Sequence, residues 1–477
     1  MKAALDFLLN GERVSLAQEK PARTLLTWLR ETRGLVGTKE GCAEGDCGAC
    51  TVVLADLVPS GKLRYQPVNA CILCLGALEG KEVITVEGLK KGDRLQAVQQ
   101  AMVDCHASQC GFCTPGFVMA LYAHCKSGTP PELSDAIAGN LCRCTGYRPI
   151  LQAGKHAREL ADWQQEAVED AARTKRIAAL PKEPTRLKGF FSPLGVAEFA
   201  RYLVEHPNAA ILAGGTDAGL WITKEHRDLD DVAYIGRVAE LRALRDHPSH
   251  IEIGAAVTYA EAYEALERIH PDIGELLRRL GAVQVRAVGT LAGNIANGSP
   301  IGDSMPVLLA LDATLVLQKG DARREARLAL FYTGYRKSLM LPGEFIRAIR
   351  VPKLAPGARF AAYKLSKRFD QDISAVCAAM VMDVKDGVIV AARIAYGGMA
   401  AIPQRARHTE SALLGQPWSE VSMAAAASAL AKDYQPIADM RASARYRLTV
   451  AGNLLRRFYR EHALGEPARI GLAAIAP

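Results

Sequence analysis

The 477 residues are 49% hydrophobic and 6% aromatic, an ordinary globular composition with length for about three or four domains. A net charge of +8 is mild over this length, no basic run interleaves with aromatics, and no apolar run reaches the ~18 residues that span a membrane, so neither nucleic acid nor membrane is expected as a partner. Asp6 interrupts the short apolar start and no secretory core follows, so a cytoplasmic location with reduced thiols is expected.

Eight of the 12 cysteines fall into two sets. The first is Cys42, Cys47 and Cys50, spaced C-x4-C-x2-C, with Cys71 or Cys74 available to close it. This spacing is the plant-type [2Fe–2S] pattern, in which a loop wraps the cluster and a distant cysteine completes it. Gly41, Gly45 and Gly48 interleave with the thiols and let backbone N–H groups approach the sulfurs. Thr51-Val52-Val53-Leu54 then reads as a strand and Pro59-Ser60-Gly61-Lys62 as a turn, giving a small β-rich domain that ends near Val86.

The second set is Cys110 and Cys113, then Cys142 and Cys144. Thr114-Pro115 reads as a helix start, with Val118, Leu121 and Tyr122 on one face and Gly128 as the stop. Leu133, Ile137 and Leu141 suggest a second helix, so both cysteine pairs lie at helix ends. Spacing leaves structural zinc open for this set, and disulfides are disfavoured by the reducing compartment. Cys105, Cys125 and Cys377 read as buried structural thiols.

Residues 164–186 are rich in Ala, Glu, Lys and Arg, close with Pro181 and Pro184, and read as a charged connector. Beyond it, the apolar strand Ala210-Ile211-Leu212-Ala213 runs into Gly214-Gly215-Thr216-Asp217-Ala218-Gly219. Such a turn can cradle a diphosphate with backbone N–H groups, and a plain turn is the alternative. A second stretch dense in glycine and hydrogen-bonding residues, 288–304, follows a helix-like segment ending in Gln284-Val285-Arg286. Neither is a Rossmann fingerprint or a Walker sequence. No nucleophile array, zinc-protease motif or paired-carboxylate site stands out, and the ten histidines are scattered.

Gly41-Cys42-Ala43-Glu44-Gly45-Asp46-Cys47-Gly48-Ala49-Cys50-Thr51 resembles the N-terminal ferredoxin domain of the molybdenum hydroxylases. Gln109-Cys110-Gly111-Phe112-Cys113-Thr114-Pro115-Gly116, and the string from Gly139-Asn140-Leu141-Cys142-Arg143-Cys144 to Pro149-Ile150, resemble its all-helical cluster domain. The resemblance implies two [2Fe–2S] clusters and selects Cys71 over Cys74 as the fourth ligand. Leu212, Ala213, Gly214, Gly215, Thr216, Asp217, Ala218 and Gly219 look like the first diphosphate loop of the family's FAD domain; Thr290, Gly293 and Asn294, with Asp303, look like the second. Ile346 and Lys364 match further flavin contacts, and Tyr335, in Tyr332-Thr333-Gly334-Tyr335-Arg336-Lys337, matches the segment where nicotinamide docks in NAD-dependent members.

The implied fold class is multidomain α+β. It comprises a β-grasp ferredoxin domain (1–87), a four-helix cluster domain (88–163), the connector (164–186), a vanillyl-alcohol-oxidase-type FAD domain (187–355) and an α+β CO-dehydrogenase-flavoprotein-like C-terminal domain (358–470). That order resembles the small chain of the family's bacterial xanthine dehydrogenases. It implies electron passage from a molybdopterin centre on a large partner subunit through both clusters to FAD and on to NAD⁺, in a heterotetramer of two small and two large chains. With the chain ending at Pro477, no molybdopterin domain and no catalytic residue are expected in it. The alternatives are a sister hydroxylase acting on aldehydes or aromatic heterocycles, and a standalone flavin–iron–sulfur reductase.

Overall fold

Asn10-Gly11, both at positive φ (52° and 90°), make the two-residue turn that matches strand twist, and Leu5–Leu9 pairs antiparallel with Glu12–Leu16 across it. This hairpin edges a five-stranded mixed sheet in the order Glu12–Leu16, Leu5–Leu9, Glu82–Ile84, Thr51–Leu57, Leu63–Asn69. Leu5–Leu9 and Glu82–Ile84 run parallel, as a β-grasp requires. Phe7 packs edge-on against Trp28 at 5.6 Å in a core that also holds Leu25, Val52, Leu54 and Cys71. The protein is described here from a computed structural model that covers residues 1–128 and 131–466; positions 467–470 of the expected C-terminal domain, and Pro477, lie outside the described residues.

Four helices follow: Ala97–Asp104, Thr114–Lys126, Leu133–Ile137 and Arg148–Leu160. Ala97–Asp104 opens with a reciprocal capping box between Gln96 and Gln99. Thr114–Lys126 starts one residue earlier than the Thr114-Pro115 reading places it. Cys113 is its N-cap, its carbonyl taking the Phe117 N–H, and its last residue is Lys126, with Ser127 as C-cap directly before Gly128. Leu133–Ile137 stops short of Leu141, whose N–H is given to the Cys47 carbonyl instead of to a helix.

The charged stretch expected as a connector is mostly the helix Trp163–Ala178, capped by the Asp162 carboxylate on the Gln165 N–H. It is packed down by tertiary ion pairs. Arg173 is buried, donating to Glu82 at 3.0 Å and to the Tyr65 hydroxyl at 2.7 Å, and Lys126 reaches Glu166 and Asp170 at 2.9 and 2.6 Å. Strand Thr185–Leu187 then opens a four-stranded sheet in the order Thr185–Leu187, Phe190–Ser192, Val232–Tyr234, Ala210–Leu212. Lys2 is hydrogen-bonded to Pro184 and Arg186 at its edge.

These parts form one unit, Met1–Arg242 with Thr258–Glu261 and Gly281–Gly293. The rest forms a second unit with two larger antiparallel sheets and the two-stranded hairpin Tyr332–Gly334 with Lys337–Ser338. One has five strands: Leu244–Asp246, His250–Gly254, Phe345–Pro352, Thr314–Lys319 and Ala322–Arg327. The other has four: Arg359–Leu365, Val376–Lys385, Val388–Gly397 and Gln404–Arg405, covered by helices that include Ala444–Ala463. The chain is thus mixed α/β and multidomain. Among the described residues no helix is long and apolar enough to cross a membrane.

Candidate metal centres and nucleotide loops

The loop between Gly41 and Cys50 folds back on itself, so Cys42 Sγ accepts the N–H groups of Asp46 and Cys47, each at 3.3 Å. Cys71, at the end of strand Leu63–Asn69, comes up beside it. The four sulfurs meet pairwise: Cys42 with Cys47, Cys42 with Cys71, Cys50 with Cys71. Contact with Cys47 and Cys71 pulls the Cys42 thiol down, and the same contacts push Cys47 and Cys71 up. Sulfurs this close cannot all ionise without a cation between them. Cys74 stays outside the set; burial alone pushes its thiol up to about 12. Cys50 and Cys71 are buried, and Asn69 Nδ2 points at Cys50 Sγ from 3.9 Å.

The second set also converges. Cys110 meets Cys144, and Cys113 meets Cys142. Cys142 Sγ accepts the Thr145 N–H at 3.4 Å and lies 3.1 Å from its hydroxyl, which together outweigh burial and pull the thiol down. Burial, then Cys142, pushes Cys113 up to about 12. Cys110 and Cys144 are exposed, with Phe112 and Leu141 beside them as exposed apolar side chains.

Geometry separates the two metal chemistries left open by spacing. A zinc ion at about 2.3 Å from four thiolates would hold every sulfur pair about 3.8 Å apart. Among the described residues, no three cysteine sulfurs lie within 4.8 Å of one another. Pairwise contacts in an extended set suit a binuclear cluster, where two thiolates serve each iron. His247, His250 and Glu252 do form a compact trio, but Glu252 is engaged by Arg245 and Arg350 at 2.8 and 3.1 Å.

The two sites adjoin within the first unit. Leu141, next to Cys142, donates its N–H to the Cys47 carbonyl at 3.0 Å. Around that bond sit three buried polar side chains. Asn140 Nδ2 donates to the Gly48 carbonyl at 2.9 Å and to Thr51 Oγ1 at 3.2 Å. Gln284 Nε2 donates to Asn140 Oδ1 at 2.8 Å and to Thr51 Oγ1 at 3.2 Å. Sequence reasoning quoted Asn140 and Gln284 without a role; 144 residues separate them, and single polar residues carry no periodic signal.

Residues 212–219 run from strand Ala210–Leu212 through a turn into helix Ala218–Thr223, so backbone N–H groups gather at one end. Gly215 takes φ +76°. Gly214 lies so close to residue 288 that an added Cβ would stand 1.8 Å from the Val288 carbonyl oxygen. The turn and the Val288–Gly293 segment are therefore pressed together, and Gly293 N donates to Thr290 Oγ1 at 3.0 Å. Gly219 lies on the other side against the residue after Cys71, where an added Cβ would stand 2.4 Å from the Ile72 carbonyl oxygen. Lys224 Nζ reaches the Cys42 carbonyl at 2.7 Å.

In the second unit, Asn294 Oδ1 accepts from Ser304 Oγ at 2.8 Å. Asp303 is buried, paired with the Lys364 ammonium, and takes the Ser374 hydroxyl at 2.6 Å. Lys364 also donates to the Asp372 carbonyl at 2.8 Å, and Ile346 is buried in strand Phe345–Pro352. Tyr335 is 58% exposed at the tip of the hairpin Tyr332–Gly334 and Lys337–Ser338. Arg336 follows at φ +53°, its guanidinium 5.7 Å from the tyrosine ring. Tyr332 is the packed aromatic of the segment, donating to the Ile295 carbonyl at 2.9 Å.

Comparison with known proteins matches four domains in order. Residues 7–76 match the 2Fe-2S iron-sulfur cluster binding domain and 85–155 the [2Fe-2S] binding domain. Residues 185–354 match the FAD binding domain in molybdopterin dehydrogenase, and 361–462 the CO dehydrogenase flavoprotein C-terminal domain. The xanthine dehydrogenase of Emericella nidulans is 33% identical over 96% of this chain, and the xanthine dehydrogenase/oxidase of Rattus norvegicus 30% identical over 95%. This chain spans only 38% and 39% of those relatives' lengths. Among solved structures, a chain of the carbon monoxide dehydrogenase of Hydrogenophaga pseudoflava superposes with a TM-score of 0.54 at 29% identity, covering 58% of this chain and 96% of that one. A chain of quinoline 2-oxidoreductase from Pseudomonas putida 86 shares the fold, with a TM-score of 0.53 at 22% identity over 60% of this chain and 98% of that one.

Proposed function

The chain belongs to the molybdenum hydroxylase family and carries its iron–sulfur and flavin portion, and from that premise we propose that it is the electron-transfer chain of an NAD⁺-dependent xanthine dehydrogenase. Electrons from hypoxanthine or xanthine oxidised at a molybdopterin centre on a large partner subunit would enter here and leave on NAD⁺, in an assembly of two small and two large chains. Cys42, Cys47, Cys50 and Cys71 would hold one [2Fe–2S] cluster, and Cys110, Cys113, Cys142 and Cys144 the other. FAD would be held by residues 212–219, Thr290, Gly293, Asn294, Asp303, Ile346 and Lys364. Flavin supplies the conversion of single electrons into a hydride.

The observation that carries this reading is the order of contacts inside the first unit. The exposed Cys110 and Cys144 face solvent, where a donor can dock. Cys142 is joined through Leu141 to Cys47 by one hydrogen bond, and Cys71 leads through Ile72 to Gly219 of the diphosphate turn. Exposure at one end and a nucleotide turn at the other give the chain a direction. Its side chains position groups and tune them; none is assigned a proton-transfer or nucleophilic role.

The test uses the chain co-expressed with its large partner, assayed for NAD⁺ reduction with hypoxanthine, xanthine and an aldehyde. Reduction with the two purines supports the substrate assignment, and reduction with the aldehyde alone reassigns the chain to a sister hydroxylase. Tyr335→Ala should weaken NAD⁺ reduction about tenfold while leaving electron delivery to an artificial dye nearly intact, since the exposed ring on a strained turn fits a docking role better than a packing one. Equal loss of both activities would mark Tyr335 as structural. A complex that reduces oxygen but never NAD⁺ would overturn the acceptor assignment.

A further inference from the structure

We propose that Gln284, on the short helix Val283–Val288 that leads into the second diphosphate segment, is a positioning residue for the contact between the two clusters. The proposal rests on the reading that both cysteine sets hold [2Fe–2S] clusters.

Every donor of the buried node is committed to the two cluster loops. The Thr51 hydroxyl donates to the Gly48 carbonyl at 2.6 Å and accepts from both Asn140 and Gln284, so its single proton and both lone pairs are used. Asn140 Nδ2 spends both protons on Gly48 and Thr51, and its Oδ1 takes a proton from Gln284. Gln284 Nε2 spends both of its protons on Asn140 and Thr51. This fixes the amide orientation of Gln284: turning it over would set two carbonyl oxygens face to face. All three side chains are buried, Gln284 completely.

The arrangement leaves Gln284 Oε1 buried without a partner. A buried acceptor left unmade is unfavourable, and a leucine here would avoid it, so packing alone does not account for a glutamine. Three glycines leave room for the node. A Cβ on Gly139 would stand 2.1 Å from Gln284 Oε1, one on Gly48 2.2 Å from the Gly139 carbonyl oxygen, and one on Gly116 2.3 Å from the Gly48 carbonyl oxygen. Gly48 lies between ligands Cys47 and Cys50, and Asn140 lies two residues before Cys142. The node therefore clamps the two ligand loops on either side of the Leu141 N–H to Cys47 carbonyl bond. A buried Asn140 that loses its Gln284 donor must find another partner or turn away, and the inter-loop bond loses its brace.

The experiment compares wild type, Gln284→Leu and Gln284→Glu as full chains loaded with iron and flavin. The readouts are the magnetic interaction between the two reduced clusters by electron paramagnetic resonance and the hydrogen-exchange rate of the Leu141 amide. With iron content unchanged, Gln284→Leu should speed Leu141 exchange about tenfold or more and alter the magnetic splitting. Gln284→Glu keeps the shape and, when neutral, one donor, so it should fall between the two. Combining Gln284→Leu with Asn140→Ala should give less than the sum of the single effects on exchange. Variants that keep iron and flavin with exchange and splitting both as in wild type would overturn the proposal. If Gln284→Leu does not accumulate folded, Gln284→Glu alone decides it by the same two readouts. A wild type lacking about four iron atoms per chain would instead sink the two-cluster reading beneath it.

Discussion

The two cysteine sites solve the same ligation problem in opposite surroundings. The first is closed by strands: Cys50 and Cys71 sit in the apolar core with Val52, Leu54 and Trp28, and the remaining two thiols are half-buried. The second is closed by helix ends and open to solvent, with Cys110 and Cys144 exposed. A redox centre that must receive electrons from another protein has to lie near a surface. One that must hand them on inside the chain gains from a shielded site, where water does not level its potential. Under the proposed function, the contrast between the sites follows their places in a relay.

The largest expected effect compares a thiol from each site. Cys71→Ser should remove one cluster and loosen the ferredoxin core, costing about 2–4 kcal/mol, because a polar hydroxyl replaces a core sulfur as the metal is lost. Cys144→Ser should remove the other cluster with little change in melting temperature. Iron should fall from about four to about two per chain in both variants, so calorimetry beside iron analysis separates them. Equal destabilisation would show that the exposed site is as structural as the buried one.

A smaller difference, in rate rather than content, sharpens the contrast. A membrane-impermeant iron chelator should strip the Cys110–Cys144 site about ten times faster than the buried one, followed by the separate decay of the two resonance signals. Simultaneous decay would mean that the ferredoxin loop opens as readily as the helical one.

The smallest effect concerns the strand that delivers Cys71. Arg64, on Leu63–Asn69, pairs with Asp56 and with Glu261, which also takes Arg242. Burial alone would push the Glu261 carboxyl up, but Arg64, the Thr258 N–H and Arg242 together hold it below the ordinary carboxylate range. A carboxyl held low when folded stabilises the fold above its unfolded value of about 4.3, and that contribution disappears as pH falls through the lower folded value. Glu261→Gln should therefore cost about 1–2 kcal/mol at pH 7 and nothing measurable well below pH 4, read by denaturant titration at both pH values. An unchanged gap at low pH would assign the loss to packing instead of charge.

The sequence made two iron–sulfur domains legible because the cysteine pattern is local: seven of the eight cysteines lie within eight residues of another member of their set. The α/β multidomain class was legible from long motif strings. Other features depended on contacts between distant segments. Trp163–Ala178 carries few apolar residues and looks like a tether until Glu82, Tyr65 and Lys126 arrive to pair with its charges. Leu141 fits a helical period with Leu133 and Ile137, yet the Cys47 carbonyl captures its N–H. In the turn after Leu212 glycine density was visible, but not that Gly214 packs against residue 288 while Gly215 supplies the positive φ.

The packed helix Trp163–Ala178 and the Lys2 bonds to the edge of strand Thr185–Leu187 have a kinetic consequence. Were the iron–sulfur part hung on a flexible tether, each electron would wait for a diffusive encounter, and thickening the solvent with glycerol would slow the internal step in proportion. A part riveted along a helix on one side and stitched at its first residues on the other makes no such journey. Electron flow inside this unit should therefore be indifferent to solvent viscosity.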